Sequence, residues 1–120
     1  MKVKGITWLG SPTDRYAEMR IFAIEVLGLR PVEDKTDFSV FRLPDGDTFE
    51  IFGPKAIADG HEFMRAPVAG FLVDDVAAAR KEMEAKGILF IGPVHDAESS
   101  SWSHFFAPDG HVYEISSAKG

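Results

Sequence analysis

The sequence contains no cysteine among its 120 residues. Without thiols there can be no disulfide, no thiolate nucleophile and no cysteine-based metal site. No apolar run approaches the roughly 20 residues of a membrane-spanning helix. The first residues, Met1–Lys4, lead into a strand-like run and not into the apolar core of a signal peptide. These absences predict a cytoplasmic protein with no membrane partner.

A basic run is also missing, and the formal net charge is −6. Nucleic-acid-binding surfaces are basic, so this charge argues against a nucleic-acid partner. It favours neutral or cationic ligands, although an excess of acid also serves solubility alone. The apolar content of 45 % is ordinary for a globular protein, and the length suits one domain or two half-size modules that share a core.

A pattern of fourteen residues occurs twice, at residues 38–51 and residues 102–115. Aligned without gaps, seven positions are identical and two more keep an aromatic residue. The identical pairs are Ser39/Ser103, Phe41/Phe105, Pro44/Pro108, Asp45/Asp109, Gly46/Gly110, Glu50/Glu114 and Ile51/Ile115. Self-similarity of this kind indicates a duplicated structural unit.

Each copy is typical of a β-hairpin. Two apolar-rich runs flank Pro-Asp-Gly, in which proline presets φ, aspartate caps the turn and glycine supplies a positive φ. The second run of each copy ends on a glutamate among apolar residues, Glu50 in one and Glu114 in the other. A carboxylate at the same place in both copies requires a common explanation.

The first half of the chain predicts one helix before its hairpin. A strand, Val3–Leu9, precedes a loop in which Thr13 or Asp14 can cap the helix. Gly28 ends the helix, and a short strand, Leu29–Asp34, follows. The apolar stripe of the helix recurs at i, i+3, i+4, i+7 and i+8, and consists of Met19, Phe22, Ala23, Val26 and Leu27.

The second half repeats this order. A strand at Val68–Val73 precedes a helix that ends at Gly87, and a strand at Ile88–Ile91 follows. Asp74 or Asp75 caps this helix, whose buried face consists of Val76, Ala79 and Met83.

Three histidines are predicted to lie on the surface. His61 falls in the irregular connector, His95 in a long polar loop at Gly92–Ser101, and His111 directly after a turn glycine. Long loops are often functional, so a ligand-binding role for His95 is the alternative.

The duplication predicts the fold class. We expect an α+β protein of two tandem βαβββ modules, with one curved mixed sheet around a cavity and the helices outside. Module one spans residues 1–56, a connector spans 57–65, and module two spans 66–120.

Three motifs in this order resemble the vicinal oxygen chelate superfamily of glyoxalases, bleomycin-resistance proteins and extradiol dioxygenases. They are Phe22-x-x-x-x-Leu27-Gly28-Leu29, then Val73-Asp74-Asp75-Val76 followed by Lys86-Gly87, and the two Pro-Asp-Gly-x-x-x-Glu-Ile hairpins. The resemblance covers nearly the whole chain and implies the fold. This fold carries both metal enzymes and metal-free binding proteins, so it leaves the function open.

The resemblance also implies where a metal would bind. Metal enzymes of the family place ligands at the ends of both fourth strands, where Glu50 and Glu114 match, and on both first strands, usually as histidine. Here the first-strand positions fall on Val68 and on Trp8, with Thr7 as the alternative to Trp8. Two carboxylates without imidazole are a poor site for Zn, Fe or Ni. We therefore predict no cofactor, with a divalent metal as the alternative.

Strand alternation and the resemblance together predict the residues that face the cavity. The candidate catalytic residues are Glu50, Glu114 and His104. The candidate ligand-binding residues are Trp8, Phe38, Thr48, Val68, Leu72, Trp102 and Val112, with Gly10 and Gly70 leaving room beside them. The structural alternatives are that the glutamates are vestiges, that His104 only packs against Glu114, and that both tryptophans belong to the core.

These residues support three functional hypotheses. The first is a metal-free protein of the bleomycin-resistance type that binds an aromatic or cationic small molecule. The second is a lyase, isomerase or dioxygenase that uses Glu50, Glu114 and His104 either as a non-standard metal site or as acid and base. The third is a non-catalytic assembly module. For each we expect a homodimer, because relatives of this size commonly pair.

Overall fold

The structure is a computed structural model that describes residues 1–56 and 66–118. The predicted connector, residues 57–65 with His61, lies outside the described residues. The chain forms two compact units, which we call the first unit (Thr7–Val68) and the second unit (Met1–Ile6 with Ala69–Gly120). Within the described residues no helix is long and apolar enough to cross a membrane.

The first unit is a four-stranded mixed sheet with one helical segment. Its strands are β1 (Gly5–Pro12, from Thr7 onward), β2 (Pro31–Lys35), β3 (Phe38–Arg42) and β4 (Thr48–Phe52), in the order β2-β3-β4-β1. β1 runs parallel to β4, whereas the other two pairs are antiparallel. The helical segment packs on the sheet through a core of Ala23, Phe41 and Ile51, surrounded by Tyr16, Met19, Ile24, Leu29 and Phe49.

The helical segment of the first unit departs from the predicted stripe. It begins as α1 (Tyr16–Ile21) and continues as a π-helical turn (Phe22–Val26). A π-helical turn holds one more residue than an α-helical turn, so residues within it and after it are displaced from the predicted stripe. Ile24 and Leu29 consequently pack on the core. The prediction was wrong for three stripe residues, which are 42 %, 69 % and 50 % exposed: Phe22, Val26 and Leu27.

The second unit repeats the same topology. Its strands are β5 (Val68–Leu72, from Ala69 onward), β6 (Phe90–Asp96), β7 (Ser100–Phe106) and β8 (Val112–Ala118), in the order β5-β8-β7-β6. β5 is parallel to β8, and the other pairs are antiparallel. Helix α2 (Val76–Ala85) packs on one face over a core of Val73, Val76, Ala79, Met83, Phe90, Phe105 and Ile115. The predicted α+β class with two βαβββ modules is confirmed.

The predicted ends of the helices are largely confirmed. Asp75 caps α2 by accepting the Ala78 N–H at 3.0 Å. The cap position of α1 is Arg15, which makes no side-chain cap bond, so neither predicted cap residue occupies it. Gly28 and Gly87 follow the two helical segments with φ of 71° and 91°, a conformation that glycine adopts without steric cost.

The predicted long loop at Gly92–Ser101 was wrong. β6 continues to Asp96 and β7 starts at Ser100, so a short turn joins them, closed by the Ala97 N–H to the Ser100 carbonyl at 2.8 Å. Polar residues occur in an outer strand because they face water there. His95 therefore lies in a strand, beyond a β-bulge.

The two hairpin turns are alike. Asp45 and Asp109 each accept the backbone N–H two residues ahead at 3.0 Å. His111 is exposed, as predicted, and its Nδ1 lies 3.0 Å from the Asp109 carboxylate. Bonding to His111 lowers the pKa of Asp109.

Candidate functional site

A buried carboxyl–imidazole pair lies on the face of the second-unit sheet opposite α2. His104 on β7 and Glu114 on β8 are cross-strand partners. His104 Nε2 lies 3.2 Å from Glu114 Oε1, and the two residues are 2 % and 5 % exposed. The predicted contact between these two side chains is present.

Burial has a direct electrostatic effect on Glu114. Loss of water raises the pKa of its carboxyl group, and the contact with His104 opposes that rise without cancelling it. A carboxyl group that keeps its proton more readily than usual, bonded to an imidazole, can donate or accept a proton. The pair thus has the chemistry of a polar anchor or of an acid–base couple.

Two further aromatic rings lie beside this pair. His95 on β6 is the cross-strand partner of Trp102, and their rings stack with centroids 5.5 Å apart at 18°. The His95 ring meets His104 edge-on, with centroids 6.3 Å apart. Both His95 and Trp102 are half-buried. Three strands therefore place two imidazoles, an indole and a carboxyl group together.

The sequence predicts a ligand-binding role for His95 only as an alternative, because Gly92 and Pro93 are typical of loops. A usable signal was the hairpin itself. Counting outward from a tight turn at Ala97–Ser100 pairs Asp96 with Ser101 and His95 with Trp102, as the structure shows.

The other predicted second-unit residues share the face of Glu114 by strand alternation. Gly70 is the parallel partner of Glu114, and Leu72 is the partner of Ser116, two residues along the same face. Val112 is two residues before Glu114 on β8 and is half-buried.

The first unit carries the equivalent positions with different side chains. Glu50 is partnered by Gly10 and by Val40, so a valine stands where the second unit has His104. Thr48 lies two residues before Glu50 and pairs with Trp8. Trp8, Phe38 and Val68 pack together with Phe52 and Ala56 in an apolar cluster.

Trp8 occupies the space that Gly10 was expected to leave. A Cβ on Gly10 would lie 2.2 Å from the indole ring, so a larger residue at this position would displace Trp8. Gly10 pairs with Glu50 as Gly70 pairs with Glu114, which makes Trp8 the equivalent of Val68. The first-strand position is therefore Trp8, and not Thr7.

The sequence model of the Glyoxalase/Bleomycin resistance protein/Dioxygenase superfamily matches residues 5–115. The chain belongs to this superfamily. No curated protein sequence matches this superfamily member significantly. Solved structures match it at low identity, so they support the fold alone.

Three structural matches illustrate the range of the fold. Methylmalonyl-CoA epimerase from Mycobacterium tuberculosis has a TM-score of 0.75 at 15 % identity, covering 98 % of this chain and 90 % of its own. The Streptomyces coelicolor methylmalonyl-CoA epimerase gives 0.75 at 13 %, covering 99 % and 100 %. The Mn(II)-bound glyoxalase from Novosphingobium aromaticivorans gives 0.72 at 23 %, covering 97 % of this chain and 39 % of that one.

The metal site implied by the superfamily can be tested against the side chains. Across residues 1–56 and 66–118, no three His, Cys, Asp or Glu residues are grouped so that they could hold a metal ion. The donor chemistry gives the reason, because Trp8 and Val68 at the first-strand positions offer no lone pair to a cation. The residues of this superfamily member do not fit the four-ligand site.

Proposed function

We propose that this superfamily member binds a small aromatic or cationic molecule on the Glu114 face of its second unit, without a transition metal. The observation that carries the proposal is the buried His104–Glu114 pair beside the stacked rings of Trp102 and His95. Aromatic faces attract cations by about 0.5–2 kcal/mol, and a few polar groups within an aromatic surface are typical of ligand sites.

Calorimetry with three probes tests the binding proposal. N-methylquinolinium is a planar cation, tetraethylammonium a cation without a ring, and naphthalene-2-sulfonate a planar anion. We expect the planar cation to bind best and Trp102→Leu to weaken it by roughly tenfold, the loss of one cation–π contact. Phe22→Leu, which changes an exposed ring on the π-helical turn, is the control. If both variants bind N-methylquinolinium as tightly as the unmodified protein does, the proposal is wrong.

The absence of a transition metal has its own test. Elemental analysis of the purified protein should find far less than one equivalent of Zn, Fe, Ni or Mn per chain. Near one equivalent, lost on Glu114→Gln, would show that Glu114 is a metal ligand and that this part of the proposal is wrong.

A second candidate function rests on the same pair. The raised pKa of Glu114 and the 3.2 Å contact with His104 suit removal and return of a substrate proton. Two structural matches are methylmalonyl-CoA epimerases, so methylmalonyl-CoA is the first substrate to test. Enzymatic exchange of its α-proton in D2O, followed by NMR and abolished in Glu114→Gln, would favour this function. No exchange would leave the binding function.

A further inference from the structure

A β-bulge determines which residue of β6 faces Trp102. Ile91 pairs with His104 and His95 pairs with Trp102, so four steps along β6 match two steps along β7. The bulge thus inserts two residues, and without it Pro93 would stand opposite Trp102. Gly92, with φ of 67°, makes the backbone turn that the bulge requires. Bulges commonly redirect a side chain beside a functional site.

Arg80 on α2 fixes this bulge from the opposite face of the sheet. Its Nη1 donates to the Gly92 carbonyl at 2.7 Å and to the Ser103 hydroxyl at 3.2 Å. Ser103 is fully buried and is the β7 residue between Trp102 and His104. The guanidinium also lies 4.9 Å from the centroid of the Phe90 ring. A rigid, multiply bonded arginine holds such a geometry better than a lysine could.

We propose that His95 is the specificity-determining residue of the second-unit site, that Arg80 places it there through the bulge, and that the site selects a planar aromatic cation. This inference rests on the proposed function and narrows its ligand class. A planar ring can extend the His95–Trp102 stack. A cation without a ring cannot extend the stack.

The first experiment compares the binding of N-methylquinolinium and tetraethylammonium to unmodified protein and to two variants of His95. We expect His95→Leu, which removes the stacked ring, to lose roughly tenfold in affinity for N-methylquinolinium and much less for tetraethylammonium. His95→Phe keeps a stacking ring and should bind N-methylquinolinium within about twofold of the unmodified protein. An equal preference for the planar cation in all three proteins would overturn the role of His95 while leaving the proposed function standing. If the unmodified protein binds no probe, the proposed function fails instead.

The second experiment tests Arg80 as a positioning residue without any ligand. The ring current of Trp102 displaces the NMR resonances of an imidazole stacked on it, so these resonances report the contact between His95 and Trp102. We expect the displacement to be absent in Trp102→Leu and much reduced in Arg80→Lys. Lys81→Ala, an exposed change on the same helix, is the control, and thermal unfolding checks that each variant folds. An undiminished displacement in folded Arg80→Lys would show that the arginine does not position His95.

Discussion

Glu114 carries its carboxyl group into a site where the residue keeps 5 % of its exposure. The charged form loses its hydration there, and the contact with His104 offsets part of the resulting rise in the pKa of Glu114. The neutral acid is consequently favoured in the folded state over the unfolded one. This difference makes the stability of the fold depend on pH at a single residue.

Glu114→Gln removes this dependence. A group with a raised folded pKa contributes full stability below its unfolded pKa, and that contribution falls as pH rises toward the folded value. We expect the variant to match the unmodified protein within about 1 kcal/mol at about pH 4 and to be equally or more stable at about pH 7, since it removes a buried charge. Urea denaturation at the two pH values measures it.

The repeat offers a matched control for this experiment. Glu50→Gln changes the equivalent residue, which is half-buried, whereas Glu114 is buried. Its stability difference should vary less with pH, because a carboxylate that water still reaches loses less hydration on folding. If Glu114→Gln loses several degrees of melting temperature yet binds ligand normally, Glu114 is a structural residue and the site assignment is wrong.

Single residues of the site were predictable to different degrees. Glu114 followed from the repeat and from strand alternation, whereas the resemblance to the superfamily placed His104 on the same face. His95 followed from neither, since a bulge breaks the count between β6 and β7. The equivalence of Trp8 and Val68 needed the strand register, because the loop after the first strand differs in length between the halves.

At the scale of elements, Asp34 links three parts of the first unit. Its carboxylate accepts from Arg20 Nε of α1 at 3.0 Å and from the Ser39 hydroxyl of β3 at 2.8 Å, while Asp34 itself lies on β2. Tyr16 on α1 is bonded to the same fully buried Ser39. The bond from Arg20, followed by that from Ser39, lowers the pKa of Asp34 to about 2.

Asp34→Asn should therefore destabilise the first unit at neutral pH. A depressed pKa adds stability above the unfolded value, which is lost as pH falls through the folded value, here between about 4 and 2. The side chain is 35 % exposed, so solvent screening limits the loss to about 0.5–1 kcal/mol at pH 7. Denaturation at pH 7 and pH 2 measures it, with Asp14→Asn in the preceding loop as the control. An equal loss at both pH values would contradict the ionic explanation.

Helices and strands were predictable where the apolar residues keep one spacing along the whole element. α2 has a cap, a regular stripe and a terminal glycine, and the structure follows all three. The first-unit helix has an equally good stripe, but its π-helical turn shifts the phase after Ile21 without any residue that marks it. β6 was hidden because an outer strand tolerates the glycine, proline and polar residues that are typical of loops.

At the scale of the whole molecule, duplication has left two units with the same topology and different chemistry. In the first, Trp8 covers Gly10 and packs with Phe38, Phe52 and Val68. In the second, His104 and Trp102 lie beside Glu114, the glutamate that the repeat places in both units. We expect calorimetry to give one N-methylquinolinium per chain, because the first unit has Val40 where the second has His104, and Phe38 where the second has Trp102. Two equal sites per chain would show that the first unit binds as well.

Association of chains is a separate expectation. We propose a homodimer, supported by exposed apolar side chains such as Ile6 at 59 %, Val32 at 62 % and Leu89 at 67 %. Sedimentation at micromolar concentration should give about twice the mass of one chain. A single species of one chain mass would contradict it.

The placement of Lys4 has a consequence for how the chain reaches this fold. Its N–H donates to the Leu72 carbonyl at 2.9 Å and its ammonium pairs with Asp74, 70 residues away. Residues Met1–Ile6 of the second unit are therefore synthesised long before Ala69–Gly120, the rest of that unit. Contacts of such sequence separation slow folding, because a long loop must close before they form. A fragment that starts at residue 66 lacks part of its own unit, so this protein cannot be divided at its connector into two complete halves.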